Sequence, residues 1–136
     1  MDKIILSSLK QIYNSKGSIF HVIKKSDDQF NGFGEAYFSF INKDEIKGWK
    51  KHKKMTLNLV VPLGKIDFVI YDEDNKKFFN VSLSKKNYQR LTVREGLWVA
   101  FRGVEENNIL LNIANIEHDP SETIDKNLND IEYNWT

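Results

Sequence analysis

Cysteine is missing from all 136 residues. Its absence excludes a disulfide framework, a thiolate zinc site and a cysteine nucleophile, and it suits a reducing cytoplasm. Any metal would have to be held by carboxylates and the three histidines. Long apolar runs are missing as well. Nowhere does the chain hold the roughly 18 consecutive apolar residues that a membrane-spanning helix needs, and its first residues, MDKIILSSLKQ, have no secretion-signal core. A soluble cytoplasmic protein with no membrane partner is expected. Charge of one sign is also scarce, since 20 lysines and arginines face 19 acidic residues for a net +1. Basicity is local instead: five lysines lie between Lys47 and Lys54, with Trp49 the one aromatic residue among them. A general nucleic-acid binder carries its charge more broadly and interleaves aromatics with it, so no nucleic-acid partner is expected.

What is present points to an all-β chain. Hydrophobic residues make up 40% of it, enough for one globular domain with a core of its own. No helical period is sustained, and short stretches rich in β-branched and aromatic residues alternate with turn chemistry. The predicted strands are 18–23, 35–41, 55–61, 65–71, 77–83, a short piece at 90–93, 97–101 and 108–116. Turns fall at Asn14-Ser15-Lys16-Gly17, Pro62-Leu63-Gly64, Asp72-Glu73-Asp74-Asn75 and Arg94-Glu95-Gly96. Strands of this number and spacing predict a sandwich or jelly-roll barrel over residues 1–119. Residues 120–136 turn polar and are predicted to be an irregular extension lying on the barrel, with the alternating Ile131, Tyr133 and Trp135 available to dock.

The stretch GWKKHKKMTLNLVVPLG, residues 48–64, carries the strongest pattern. Residues two apart on a strand share a face. Lys50, His52, Thr56 and Asn58 therefore fall on one face, while Met55, Leu57, Leu59 and Val61 fall on the other. Two readings are open. Either the polar face is in water and the apolar face is core, or the polar face lines a barrel lumen and the apolar face packs outward on a second sheet or subunit. Ala100, and Asn112 between Leu111 and Ile113, fit the second reading equally well.

The segment Lys47-Gly48-Trp49-Lys50-Lys51-His52-Lys53-Lys54 resembles the R-G-x-H-x-H-K-K segment of the cupin enzymes that act on nucleotide-linked 4-keto-6-deoxy sugars. These are the dTDP-sugar 3,4-ketoisomerases and, more distantly, the RmlC-like dTDP-4-dehydrorhamnose 3,5-epimerases. Asn14-Ser15-Lys16-Gly17-Ser18-Ile19 is similar to the early D-x-R-G-x-L turn of these enzymes. Leu91-Thr92-Val93-Arg94-Glu95-Gly96-Leu97-Trp98 resembles their V-P-x-G-x-W-H turn, and Asp130-Ile131-Glu132-Tyr133-Asn134-Trp135 the tail of some epimerases. The order of these segments favours the lumen reading. It implies a jelly-roll cupin fold, a homodimer, a nucleotide-sugar ligand and a role in making precursors for surface polysaccharide or other glycans. The outward face from Met55 to Val61 is one surface such a dimer would use. A cupin pocket that binds a nucleotide sugar or carbohydrate without turnover is the alternative.

The resemblance also implies the site. The positions at which metal-binding cupins carry ligands are here Lys50, His52, Thr56 or Leu57, and Val99. One ligand is left where a metal needs about three, so neither metal nor cofactor is expected. The second histidine of the ketoisomerase pair is retained as His52, the first is replaced by Lys50, and Tyr37 is a tyrosine available in the preceding strand. The two family arginines become Lys16 and Lys47, which keep the charge and lose the bidentate fork. Chemically, moving a carbonyl along a sugar or inverting the neighbouring carbon requires a base of pKa near neutrality, and histidine at about 6.5 is the usual choice. His52 is thus the predicted base, Lys50 the stabiliser of enolate charge or a second candidate base, and Tyr37 the acid. Lys16, Lys47, Asn58 and Asn112 are predicted substrate-binding residues. Trp98 is core or interface in the simpler reading and a nucleobase stack in the sharper one.

Overall fold

The structure is a computed structural model and describes residues 2–136. Twelve strands follow one another along the chain. The first six are β1 (Ile4–Ser8), β2 (Gln11–Ile12), β3 (Ile19–Phe20), β4 (Glu35–Asn42), β5 (Ile46–His52) and β6 (Leu57–Leu63). The rest are β7 (Lys65–Asp72), β8 (Lys77–Ser84), β9 (Gln89–Val93), β10 (Trp98–Gly103), β11 (Asn107–Ala114) and β12 (Thr123–Asp125). Two five-stranded antiparallel sheets result, in the orders β1-β9-β6-β11-β4 and β12-β5-β10-β7-β8, with β2 and β3 as a separate small hairpin. The expected all-β jelly roll is present as two facing sheets whose ladders stay separate rather than as one closed barrel. An isolated bridge joins Lys43, just after the edge strand β4, to Gly103 at the end of the central strand β10.

Alternation places the core between the sheets. From the first sheet come Leu57, Leu59, Val61, Leu91, Val93 and Leu110; from the second come Ile66, Phe68, Ile70, Leu83 and Val99. Burial of this β-branched and aromatic set is what makes the strands stable, at roughly 25 cal/mol per Å² of apolar surface. A second, smaller cluster lies on the outside of the β5–β10–β7 sheet. There Trp49, Val69, Trp98 and Ala100 are covered by Ile131, with Tyr133 and Trp135 packed around them.

Three sequence expectations change. First, residues 50–58 do not form one strand. The chain leaves β5 at His52, crosses from one sheet to the other through residues 53–56 and begins β6 at Leu57, and the crossing shifts the face parity. Lys50 and His52 point inward, yet so do Leu57 and Leu59; Asn58 points outward. Second, the apolar face from Met55 to Val61 is core and does not serve a subunit interface. Third, the predicted strand 18–23 pairs only over Ile19 and Phe20, and residues 21–33 instead fold over the outside of the first sheet. Arg90, almost wholly buried, ties that segment down by donating to the Val22 carbonyl at 2.7 Å and to Gln29 at 2.9 Å.

Gly48 shapes the strand that matters most. Val99 faces Lys50 and Phe101 faces Lys47, so Gly48 and Trp49 together stand against Ala100 alone. This is a bulge, the device that re-aims strand side chains. It allows Lys47 and Lys50, three apart, to lie on the same inner face as Val99 and Phe101. A Cβ at position 48 would lie 2.4 Å from the Ala100 Cβ, and φ there is +153°. Gly48→Ala should therefore cost about 1–3 kcal/mol, read as a lower urea midpoint at an unchanged m-value.

Candidate active site

Between the sheets, at the end where β4, β5, β11 and β12 meet, lies a cavity of about 470 Å³. That is within the usual size range for a small-molecule site. Its walls come from both sheets. Leu57, Leu59, Val99, Phe101 and Leu110 supply an apolar floor; Lys47, Lys50, His52, Tyr37 and Asn112 supply polar groups.

His52 is the best-anchored of them. Its side chain is 13% exposed, and its Nδ1 is hydrogen-bonded to Oε1 of the buried Glu122. A carboxylate only accepts, so the proton sits on Nδ1 and Nε2 is the nitrogen left for the cavity. The other carboxylate oxygen, Oε2, accepts from the backbone amides of Lys53, Lys54 and Met55 at 3.1, 3.0 and 3.3 Å. Burial pushes the Glu122 carboxyl up, but the bond from His52, the Lys54 and Met55 amides and the attraction of His52 outweigh it. The group is held below the ordinary carboxylate range.

Opposite, on the other sheet, Tyr37 and Asn112 are direct cross-strand partners of β4 and β11. Asn112 Nδ2 donates to the Tyr37 hydroxyl at 2.8 Å. Burial pushes the Tyr37 phenol up; the Asn112 bond opposes this and the charge of Glu35 adds to it, with a net rise. The phenol therefore keeps its proton at neutral pH. Lys47 and Lys50 stand exposed at the mouth, and among the described residues neither has a carboxylate within 4.0 Å. Asp125, opposite Lys50 in register, and Lys126 complete the rim.

His52, Lys50, Tyr37, Lys47 and Asn112 are thus brought together as a group, and three other expected residues are not. Asn58 lies on the outer face of the first sheet, where it accepts from the Thr92 hydroxyl at 2.6 Å and donates to the Gln29 carbonyl at 3.2 Å. Lys16 sits exposed in the turn after β2, its amide bound to Asn14 Oδ1 at 2.8 Å. Trp98, one residue out of phase with Val99, is buried on the outside of its sheet between the ammonium groups of Lys51 and Lys126, 4.8 and 4.7 Å from its ring centre. It does not face the cavity, so nucleobase stacking is ruled out there. Ala100, out of phase for the same reason, belongs to that outer cluster.

Glu122, Asp125 and Lys126 were not found by sequence reasoning. Glu122 is 70 positions from His52, and no local pattern marks a carboxylate for a partner so distant. The one legible hint in this region was Gly48, since an isolated glycine in a strand pattern signals a bulge.

Removing the clasp has a defined cost. Glu122→Gln should lower stability by about 1–3 kcal/mol at pH 7 by weakening charge-assisted hydrogen bonds to buried donors. Because the folded pKa is depressed, the wild-type advantage is full above the unfolded value near 4.3 and is lost as pH falls through the folded value. Urea melts at pH 7 and at pH 3 should show the gap between the two proteins closing.

Comparison with known proteins agrees with this geometry. No curated protein matches the chain significantly. A dTDP sugar isomerase from Desulfovibrio desulfuricans G20 is 29% identical, with a TM-score of 0.92 over 97% of this chain and 90% of that one. A mutant of the 3,4-ketoisomerase QdtA from Thermoanaerobacterium thermosaccharolyticum, in complex with TDP-4-keto-6-deoxyglucose, is 21% identical, with a TM-score of 0.79 over 91% of this chain and 88% of that one. The epimerase RmlC from Legionella pneumophila, in complex with dTDP-4-keto-L-rhamnose, is 14% identical, with a TM-score of 0.83 over 94% of this chain and 74% of that one. The last two establish likeness of fold. Residues 2–132, nearly the whole chain, match the family described as FdtA, WxcM-like, C-terminal, and the chain belongs to that family.

Proposed function

We propose that this protein is an isomerase or epimerase of a nucleotide-linked 4-keto-6-deoxy sugar, most simply a dTDP-sugar, in the synthesis of surface polysaccharide or glycan precursors. The observation that carries this reading is the His52–Glu122 pair facing a partly apolar cavity, with Lys50 beside it and a protonated phenol on the opposite sheet. Carbon acids next to a ketone need a base, a cation for the enolate and an acid, and these are the groups present. In this reading His52 Nε2 takes the proton from the carbon beside the carbonyl, and the bonding pair passes into the enolate. The Lys50 ammonium steadies the negative oxygen. In an isomerase the neighbouring hydroxyl gives its proton to the enolate oxygen as its own carbon becomes the carbonyl, and His52 returns the carbon-bound proton to the former carbonyl carbon. In an epimerase His52 keeps its proton and the Tyr37 phenol, on the opposite sheet, delivers one to the other face of the same carbon and is reprotonated from solvent.

The ligand class rests on two further features. Lys47, with no carboxylate partner among the described residues, suits a pyrophosphate, and the leucine and valine floor suits a deoxygenated carbon such as the 6-methyl group. The solved relatives named above, a dTDP sugar isomerase and two enzymes in complex with TDP-4-keto-6-deoxyglucose and dTDP-4-keto-L-rhamnose, support the same class. A cytoplasmic location belongs to the proposal, because a nucleotide-linked substrate is too highly charged to cross a bilayer unaided.

Exchange of sugar-carbon protons with deuterated water, followed by NMR on dTDP-4-keto-6-deoxyglucose, tests the reaction. His52→Asn should slow exchange roughly 10²–10⁴-fold while leaving TDP binding within a few-fold of wild type. Binding of the keto sugar with no exchange by the wild-type protein would establish a non-catalytic binder instead, the reading that Lys50 in place of the family histidine favours.

A homodimer is part of the same proposal. Phe38 and Phe40 stand 61% and 73% exposed on the outer side of β4, an edge strand with one side unpaired. Large exposed aromatics at a sheet edge favour association. Sedimentation velocity should give a dimer mass for the wild-type chain and a shift towards monomer for the double variant Phe38→Asp, Phe40→Asp.

A further inference from the structure

Asn112 is 6% exposed, lines the cavity, and its Oδ1 has no hydrogen-bond partner among the described residues. A buried amide oxygen without a donor is costly, and one at the wall of a cavity is matched by a ligand that donates to it. Its other end is engaged: Nδ2 donates to the Tyr37 hydroxyl at 2.8 Å. That bond occupies a lone pair of the phenol, so the Tyr37 O–H is free to turn towards the cavity. The two side chains, paired across β4 and β11, thus offer one donor and one acceptor side by side.

A neighbouring donor and acceptor are complementary to a ketone with a hydroxyl on the next carbon. The carbonyl accepts from Tyr37, and the hydroxyl donates to Asn112 Oδ1. We propose that Asn112 and Tyr37 form a two-point reader of an α-hydroxyketone, which makes Asn112 the residue that selects a substrate oxygenated at the carbon beside the carbonyl. This rests on the proposed function and sharpens it, since the neighbouring floor of Leu57, Leu59 and Leu110 is apolar and leaves polar recognition to side chains such as Asn112. Removing a hydroxyl from a ligand whose site is built to receive it strands the protein group that met it, which is why such sites discriminate strongly.

Binding by calorimetry tests this on the His52→Asn protein, in which turnover does not intrude. The ligands are dTDP-4-keto-6-deoxyglucose, the analogue with hydrogen in place of the hydroxyl beside the ketone, and TDP. With Asn112 present the keto sugar should bind roughly 10- to 100-fold more tightly than the deoxy analogue. Adding Asn112→Leu should bring that ratio to within about threefold, while TDP affinity stays unchanged and reports an intact fold. Adding Tyr37→Phe instead should weaken both sugars and preserve the ratio. A ratio near one with Asn112 in place, or a ratio that survives Asn112→Leu, overturns the reader and leaves the proposed function standing. Failure of the keto sugar to bind at all overturns both. Should Asn112→Leu lose TDP binding through misfolding, the wild-type Asn112 ratio and the Tyr37→Phe ratio decide the matter alone.

Discussion

The Glu122 carboxylate is the point on which the site depends. Buried, it meets His52 with one oxygen and the consecutive amides of Lys53, Lys54 and Met55 with the other. Those amides belong to the crossing from the second sheet to the first, where the backbone leaves both ladders; the Lys53 amide also reaches the Glu122 carbonyl at 2.9 Å, while those of Lys54 and Met55 rely on the carboxylate. One side chain thereby satisfies the corner, fixes the imidazole tautomer and holds β12 beside β5. Charge-assisted bonds to several fixed donors are worth more than a single contact because none can relax to suit the loss of another.

That corner also explains why a regular alternation misled in one respect and informed in another. Lys50 and His52 do share an inward face, as strand periodicity requires. The same count carried on to Thr56 and Asn58 fails because a strand ends between them, and each change of sheet resets which parity is interior. Sequence patterns report period well and continuity poorly. Most strands were legible from their β-branched runs, whereas β1, β2, β5 and β12 are not among the predicted strands: β5 is largely lysine and glycine, β2 and β12 are very short, and β1 and β12 are each held by a partner distant in the chain, β9 and β5 respectively. Tyr37 was reached through family resemblance, and its pairing with Asn112 became visible only with the register of β4 on β11. Glu122 was illegible for a physical reason, since its role is set wholly by tertiary placement.

The polar groups of the cavity are supported at unequal depth. His52, Asn112 and Tyr37 are held by hydrogen bonds among protein groups, so their positions survive without a ligand. Lys47 and Lys50 are aimed by backbone alone, through the bulge at Gly48, and remain solvated. Held acid–base groups inside and a solvated Lys47 at the rim suit a ligand that puts its reacting end deep and its charged end at the mouth. The arrangement also keeps most of the lysine cluster in water, where its mutual repulsion is screened.

The C-terminal segment lies across the back of the strand that presents the base. Ile131, Tyr133 and Trp135 cover Trp49 and Trp98, and Arg102 donates to the Trp135 carbonyl while also meeting Asp67 at 3.0 Å. Because the carboxylate partner of His52 and this covering layer belong to one continuous stretch, residues 122–135, a change that loosens the layer also loosens the partner of the base.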